Sequence, residues 1–355
     1  MKRCTDATKT QCDEKPDCLA WETRMYRSIR AAILLILLSC LLLWSFPSAG
    51  ATAVSPSHPL ASPGKHVMAV SGGTLLWRFL TGATVDSSPT VVGGVVYVGG
   101  TGLSGHVYAL KATTGKLLWG TQTGTFVVCR PAVVNGVVYV GSGDGAVYAL
   151  QASDGALLWR YQTQGQQGIA SSPTVVNGVL YIGDFDDYVY ALNASNGSLL
   201  WRYKTENAIE SSPTVVNGVL YVGSEDDFVY AFNAATGKLL WRYQTGNVVD
   251  SSPAVSKGVV YIGSTDYNIY ALDAATGKLR WRYQTGYYVD SSPTVVKGVV
   301  YVGSVDHSVY ALNASTGTLR WRYQTGSSIW YSSPTVAKGI VYIGSWDKYV
   351  YALTA

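Results

Sequence analysis

From about residue 70 to the end, the chain is written in short apolar runs separated by polar, glycine-containing punctuation. In the stretch beginning at Ser211 the runs are SSPTVV, GVLYVGS, FVYAFNA and GKLLWRYQT. Each is short and rich in β-branched or aromatic residues, which suits a strand in a pleated sheet. Asn217-Gly218 between the first two runs fits a two-residue hairpin that needs positive φ. Thr236-Gly237 supplies a similar turn between the third and fourth runs. No segment of this region carries a helical period.

The pattern recurs. Trp77, Trp119, Trp159, Trp201, Trp241, Trp281 and Trp321 follow one another at intervals of 42, 40, 42, 40, 40 and 40 residues. Four-stranded units of about 40 residues, repeated several times, predict a β-propeller. The expected fold is all-β, a seven-bladed propeller of four-stranded antiparallel blades. The first copy begins at its Trp strand, residues 74–80, and the last stops after its third strand at Tyr351-Ala352-Leu353. The N-terminal strand is therefore expected to complete the last blade and lock a monomeric ring.

The segments between tryptophans resemble the Trp-docking motif of the pyrroloquinoline quinone (PQQ) repeat family, in the quinoprotein alcohol dehydrogenase-like superfamily. Ala231-Phe232-Asn233-Ala234-Ala235-Thr236-Gly237-Lys238-Leu239-Leu240-Trp241 carries the resemblance, and Ala271 to Trp281 and Ala311 to Trp321 match equally well. The copies starting at Ala109, Ala149 and Ala191 depart at one or two positions, and Trp77 lacks the first half. The resemblance covers residues 74–355. It implies the propeller and leaves function open, because one fold hosts many functions.

The first seventy residues differ. Ala31 to Phe46 form an uncharged apolar run preceded by Arg24, Arg27 and Arg30 and followed by small residues up to Ala53. As a helix the run would span roughly 24 Å, short of a hydrocarbon core of about 30 Å. It reads as a signal peptide, with a membrane anchor as the competing reading. Residues 1–53 are thus a leader, 54–69 a Pro- and Ser-rich linker and 70–355 the propeller. Translation from Met25 in place of Met1 would give a leader with an ordinary short basic start. Leu37-Leu38-Ser39-Cys40 loosely resembles a lipobox, although the apolar run continues past the cysteine. The expectation is an exported protein of the cell envelope, anchored or secreted.

Composition narrows the chemistry. The formal net charge is +4 and four histidines are scattered at 58, 66, 106 and 307. Neither favours nucleic acid or a His-based metal site. Nineteen of 26 tyrosines and seven of the nine tryptophans after the leader are periodic. They are assigned to packing, the tryptophans to docking between blades. The repeated Ser-Ser-Pro marks strand entry, and the Cys129 that replaces one of these serines is expected to be buried.

Function is sought where copies differ. Antiparallel order sends the second-to-third turns and the links between blades to one rim, which holds fifteen of the seventeen acidic residues after residue 70. Asp226, Asp266 and Asp306 are expected to cap their own turns. Asp86, Glu210, Asp250 and Asp290 precede the innermost strands and are candidates for the channel mouth. Asp184, Asp186 and Asp187 are weaker candidates for a cation such as Ca²⁺. Nonperiodic aromatics fall on the same rim, and Trp330, Tyr331, Trp346, Tyr287 and Tyr288 are the candidate binding residues. A protein or ligand of basic or cationic character is the partner this rim would attract.

Two functions follow. One is a non-catalytic binding scaffold with no cofactor, and the same repeat occurs in the scaffold lipoprotein of the bacterial outer-membrane barrel-assembly machinery. The alternative is a PQQ-dependent dehydrogenase. The resemblance implies that such enzymes carry eight blades, an Asp base with Ca²⁺, and often adjacent cysteines. This chain has seven repeats, no Cys-Cys pair and no CxxCH.

Overall fold

The computed structural model describes residues 75–101, 104–165 and 167–355. The expected leader, the linker and the candidate start sites lie outside the described residues. No helix among the described residues is long and apolar enough to cross a membrane.

The described chain folds into 27 strands grouped in seven antiparallel sheets. Blade four shows the plan. Its inner strand is Thr214–Val216, the second Val219–Gly223, the third Phe228–Asn233 and the outer Leu239–Gln244. Sequence order is spatial order in every sheet. The inner hairpin turns through Asn217 and Gly218 at φ 51° and 77°, the left-handed pair that the sequence predicts. In each of the six four-stranded blades the third and outer strands shift register once, beside the alanine that faces the docking tryptophan, as at Ala231↔Trp241.

Blades join by one repeated set of contacts. The Trp201 indole N–H donates to the Ala234 carbonyl at 2.9 Å, and the Tyr181 hydroxyl of the same blade donates to that carbonyl at 3.1 Å. Gly237 follows in a left-handed turn, and a Cβ there would lie 2.6 Å from the Trp201 ring. Glycine is thus required twice, by φ and by the indole lying flat against it. Ser171 accepts the Gly183 N–H and donates to the Ser211 carbonyl of the next blade, so the Ser-Ser-Pro repeats stitch inner strands together. Cys129 is 1% exposed and takes a Ser position, accepting the Gly141 N–H at its Sγ. Burial pushes its thiol up to about 12.

The ends of the repeat array differ from its middle. Among the described residues the last sheet holds three strands, Thr335–Ala337, Ile340–Gly344 and Val350–Thr354. Residues 75–80 form no strand and pair with no neighbour in that sheet. They sit instead on the first blade, where the Trp77 indole N–H donates to the Ala112 carbonyl at 2.8 Å. Trp77 thus docks on the first blade as the tryptophan of each outer strand docks on the blade that follows.

Candidate functional site

The loop rim is built by the second-to-third turn of each blade and by the link arriving from the blade before. The Asp266 carboxylate accepts the Asn268 N–H of its own turn, the Tyr270 hydroxyl of its own third strand and the Gly246 N–H of the preceding link. Asp226, Asp306 and Asp347 also take the hydroxyl of their blade's third-strand tyrosine. These aspartates hold the rim together, as the turn pattern implied. Burial together with the adjacent aspartate pushes the pKa values of Tyr230, Tyr270 and Tyr310 well above the ordinary tyrosine range.

The sequence pattern concealed one source of compensation. Arginines just after the docking tryptophans reach the same turns from the outer strands. Arg160 lies 3.2 Å from Asp144, Arg242 3.8 Å from Glu206 and Arg322 3.9 Å from Asp306, while Lys204 lies 3.9 Å from Asp187. Burial raises the Asp144 pKa, but hydrogen bonds from Tyr148 and Arg160 outweigh it and leave the group below the usual carboxylate range. The signal was present in the Trp-Arg-Tyr repeat, because an antiparallel ladder sets Arg160 opposite Tyr148.

The candidate acids separate into two kinds. Glu210, Asp250 and Glu225 converge, with one carboxylate oxygen from each lying within 4.8 Å of the others. Glu225 was not among the channel-mouth candidates, and only the fold brings it to Glu210 and Asp250. Asp290 is buried one blade further on, whereas Asp86 is exposed on the first blade. The proposed Asp184–Asp186–Asp187 cation cluster does not form such a group among the described residues. Asp184 is fully buried where five other blades carry a serine and the first carries Gly100, and it accepts the N–H groups of Asp186 and Tyr188. Burial pushes its carboxyl up to about 6, partly opposed by the Tyr188 N–H. Asp186 accepts the Gln167 N–H, and Asp187 faces Lys204. Each carboxylate thus has separate partners of its own.

The candidate aromatics gather in two stacks on successive blades. Tyr287 and Tyr288 lie with ring centroids 4.2 Å apart, and Tyr267 stacks on Tyr287 at 5.2 Å. Trp330 stacks on Trp346 at 5.4 Å with planes 18° apart, and Tyr331 lies 6.0 Å from Trp330. Trp346 is 63% exposed and Tyr331 60%. Tyr267 was not a candidate binding residue, and only the fold joins it to the tyrosine pair. Acids of blades four and five, tyrosines at blades five and six and tryptophans at blade seven therefore follow one another along the rim. Two inter-blade clefts of 410 and 600 Å³ lie elsewhere, one beside Asp144 and Gln162 and the other beside Asn177 and Asn217.

Residues 63–176, 163–284 and 246–355 each match the family described as outer membrane protein assembly factor BamB. The chain belongs to that family. Among solved structures it is similar to BamB from Moraxella catarrhalis, at 23% identity and a TM-score of 0.70, over 79% of this chain and 88% of that one. The computationally designed Ika8 protein is similar at 18% identity and 0.68, over 76% and 83%. Saccharomyces cerevisiae Sqt1 is similar at 16% and 0.65, over 74% and 82%. At these identities the likeness concerns the fold. No curated protein sequence matches the chain.

Proposed function

We propose that this BamB-family propeller is a non-catalytic scaffold of the cell envelope that binds a basic protein segment on its loop rim. The observation that carries the reading is the succession of the Glu210–Glu225–Asp250 carboxylates, the Tyr267–Tyr287–Tyr288 stack and the Trp330–Trp346 stack on one rim. Clustered carboxylates favour Lys and Arg side chains through their field. Exposed aromatic faces add cation–π and apolar contact for the same side chains. The family's description as an outer membrane assembly factor supports a protein partner and an envelope location. The leader-like apolar run supports export.

The periodic residues support the non-catalytic half of the proposal. Tyrosines, serines and aspartates that would otherwise suggest chemistry are engaged between blades or within turns. No specific observation favours the quinone-enzyme alternative.

The test is titration of an oligoarginine peptide and an oligoglutamate peptide into the full chain by calorimetry. Binding of the first alone is expected, weakened at least tenfold by Glu210→Gln with Asp250→Asn and by Trp330→Ala with Trp346→Ala. Equal binding of both peptides, or no effect of either double variant at unchanged circular dichroism, would refute the proposal. Dye-linked alcohol oxidation after addition of PQQ and Ca²⁺ would refute its non-catalytic part.

A further inference from the structure

The rim opposite the loop rim carries two features of its own. The first is apolar. Each of the six four-stranded blades begins its outer strand with leucine, directly after the third-to-fourth turn. In blade two the outer strand is Leu157–Gln162, where Trp159 is buried and Tyr161 half-buried while Leu158, Arg160 and Gln162 are exposed. Strict alternation would turn Leu157 inward. The ladder instead shifts register there, from Ala149↔Trp159 to Leu150↔Leu157, so two residues of the outer strand stand against one of the third. A bulge of this kind re-aims a side chain. Leu157 and Leu158 are accordingly 54% and 47% exposed, and Leu117, Leu118, Leu199 and Leu200 at the same places in blades one and three are 40–49% exposed.

Packing does not require leucine in the second of these places. Blades five and six put Arg280 and Arg320 there, at the same register shift. The leucine pair is nevertheless repeated in blades one to four. Exposed apolar side chains therefore recur from blade to blade along one rim, which sets them apart from the singly scattered kind.

The second feature is charge. Lys238, Lys257, Lys278, Lys297 and Lys338 lie in the turns of this rim in blades four to seven, all exposed. Lys257, Lys297 and Lys338 hold a left-handed turn position, at φ 48–49°, that asparagine holds in blades two to four. Asparagine suits that conformation better, so the turn itself does not explain the lysines. Among the described residues only Asp154 and Asp273 are acidic on this rim, and Asp273 is paired with Arg280 at 2.7 Å.

We propose that this rim docks on an anionic lipid bilayer, with the leucines entering the headgroup region and the lysines meeting lipid phosphates. Lysines near such a surface gain electrostatic attraction, and apolar side chains add burial at the interface. A nucleic acid would draw on the lysines and leave the leucines without a role. An acidic peptide would span one or two blades, whereas leucines in blades one to four and lysines in blades four to seven suit an extended surface. The loop rim with its carboxylates faces away from the bilayer in this arrangement. Neither rim's assignment depends on the other.

The test uses the full chain with Cys4, Cys12, Cys18, Cys40 and Cys129 replaced by serine. A bimane label is placed at Leu200→Cys or Leu158→Cys, and at Glu206→Cys on the loop rim as the control. The label reports docking of the propeller itself, whether or not the leader binds the vesicle. Vesicles contain equal parts of phosphatidylglycerol and phosphatidylcholine with brominated acyl chains. Both leucine-site labels should be quenched and the Glu206 label unchanged. Lys257→Gln, Lys278→Gln, Lys297→Gln and Lys338→Gln together should raise the lipid concentration for half-maximal quenching about tenfold or more at unchanged circular dichroism, as should vesicles of phosphatidylcholine alone. Quenching equal on both rims, quenching that survives the lysine substitutions, or none at either leucine site would overturn the proposal. So would binding of a DNA duplex that the lysine substitutions weaken while lipid quenches no label.

Discussion

Blade four and blade seven are nearly the same sentence written in different surroundings. The GVLYVGS run of the first corresponds to GIVYIGS in the second, and FVYAFNA to YVYALTA. In blade four Tyr221 and Val229 are 3% and 0% exposed, while in blade seven Tyr342 and Val350 are 39% and 78% exposed. The local hydrophobic pattern forms the same hairpins in both. What differs is the neighbour. A repeat of this kind cannot bury its side faces alone, so its stability is a sum of nearest-neighbour terms. The last blade has one such term and the inner blades two.

The comparison can be broken hardest at an inner interface. Trp201→Ala removes an indole packed on Gly237 and its bond to Ala234, and should cost about 3–5 kcal/mol in urea unfolding. A cost below about 1 kcal/mol would show that blades do not support one another through this contact. The complete blades also differ at one fully buried position, where blade four has Ser224 and blade three has Asp184. Its folded pKa of about 6 lies above the usual 3.8, so the protonated form is favoured on folding. The contribution of Asp184 to stability should therefore be largest below about pH 4, fall as pH rises to 6 and then level off, a loss of about 3 kcal/mol at that site. Asp184→Ser should remove that slope, and thermal melts from pH 3.5 to 7 would reveal a slope that persists.

Smaller changes sharpen the same contrast. Val229→Ala should destabilise by about 2 kcal/mol, and Val350→Ala in dilute protein by less than about 0.5 kcal/mol. Tyr221→Phe deletes one buried hydrogen bond to the Ala274 carbonyl and should cost about 1 kcal/mol, with Tyr342→Phe near zero. Equal effects within either pair, read from denaturant midpoints, would mean that blade seven is covered after all.

Much of this architecture was legible before any coordinates. The tryptophan interval gave the blades, Asn-Gly and Thr-Gly the turns, and the periodic tyrosines and serines their structural roles. Each of these follows from contacts between residues near in sequence or one repeat apart. The geometry of closure is harder to read from local pattern. Whether the ends meet depends on the rotation from blade to blade, a sum over six interfaces that no single motif encodes. The rim was legible as a composition and not as a constellation. Glu225 joins Glu210 and Asp250, and Tyr267 joins Tyr287 and Tyr288, through links arriving from neighbouring blades. Arg160, Arg242 and Arg322 belong to outer strands, so counting charges within loops overlooked them.

Amide hydrogen exchange, followed peptide by peptide in protein dilute enough to be monomeric, addresses the contrast between blades most directly. Strand edges that open locally exchange faster than those that need global unfolding. Amides of Val350–Thr354, where Val350 is exposed, should exchange at least a hundredfold faster than those of Phe228–Asn233, where Val229 is buried. Equal protection of the two strands would contradict the difference in burial between the blades.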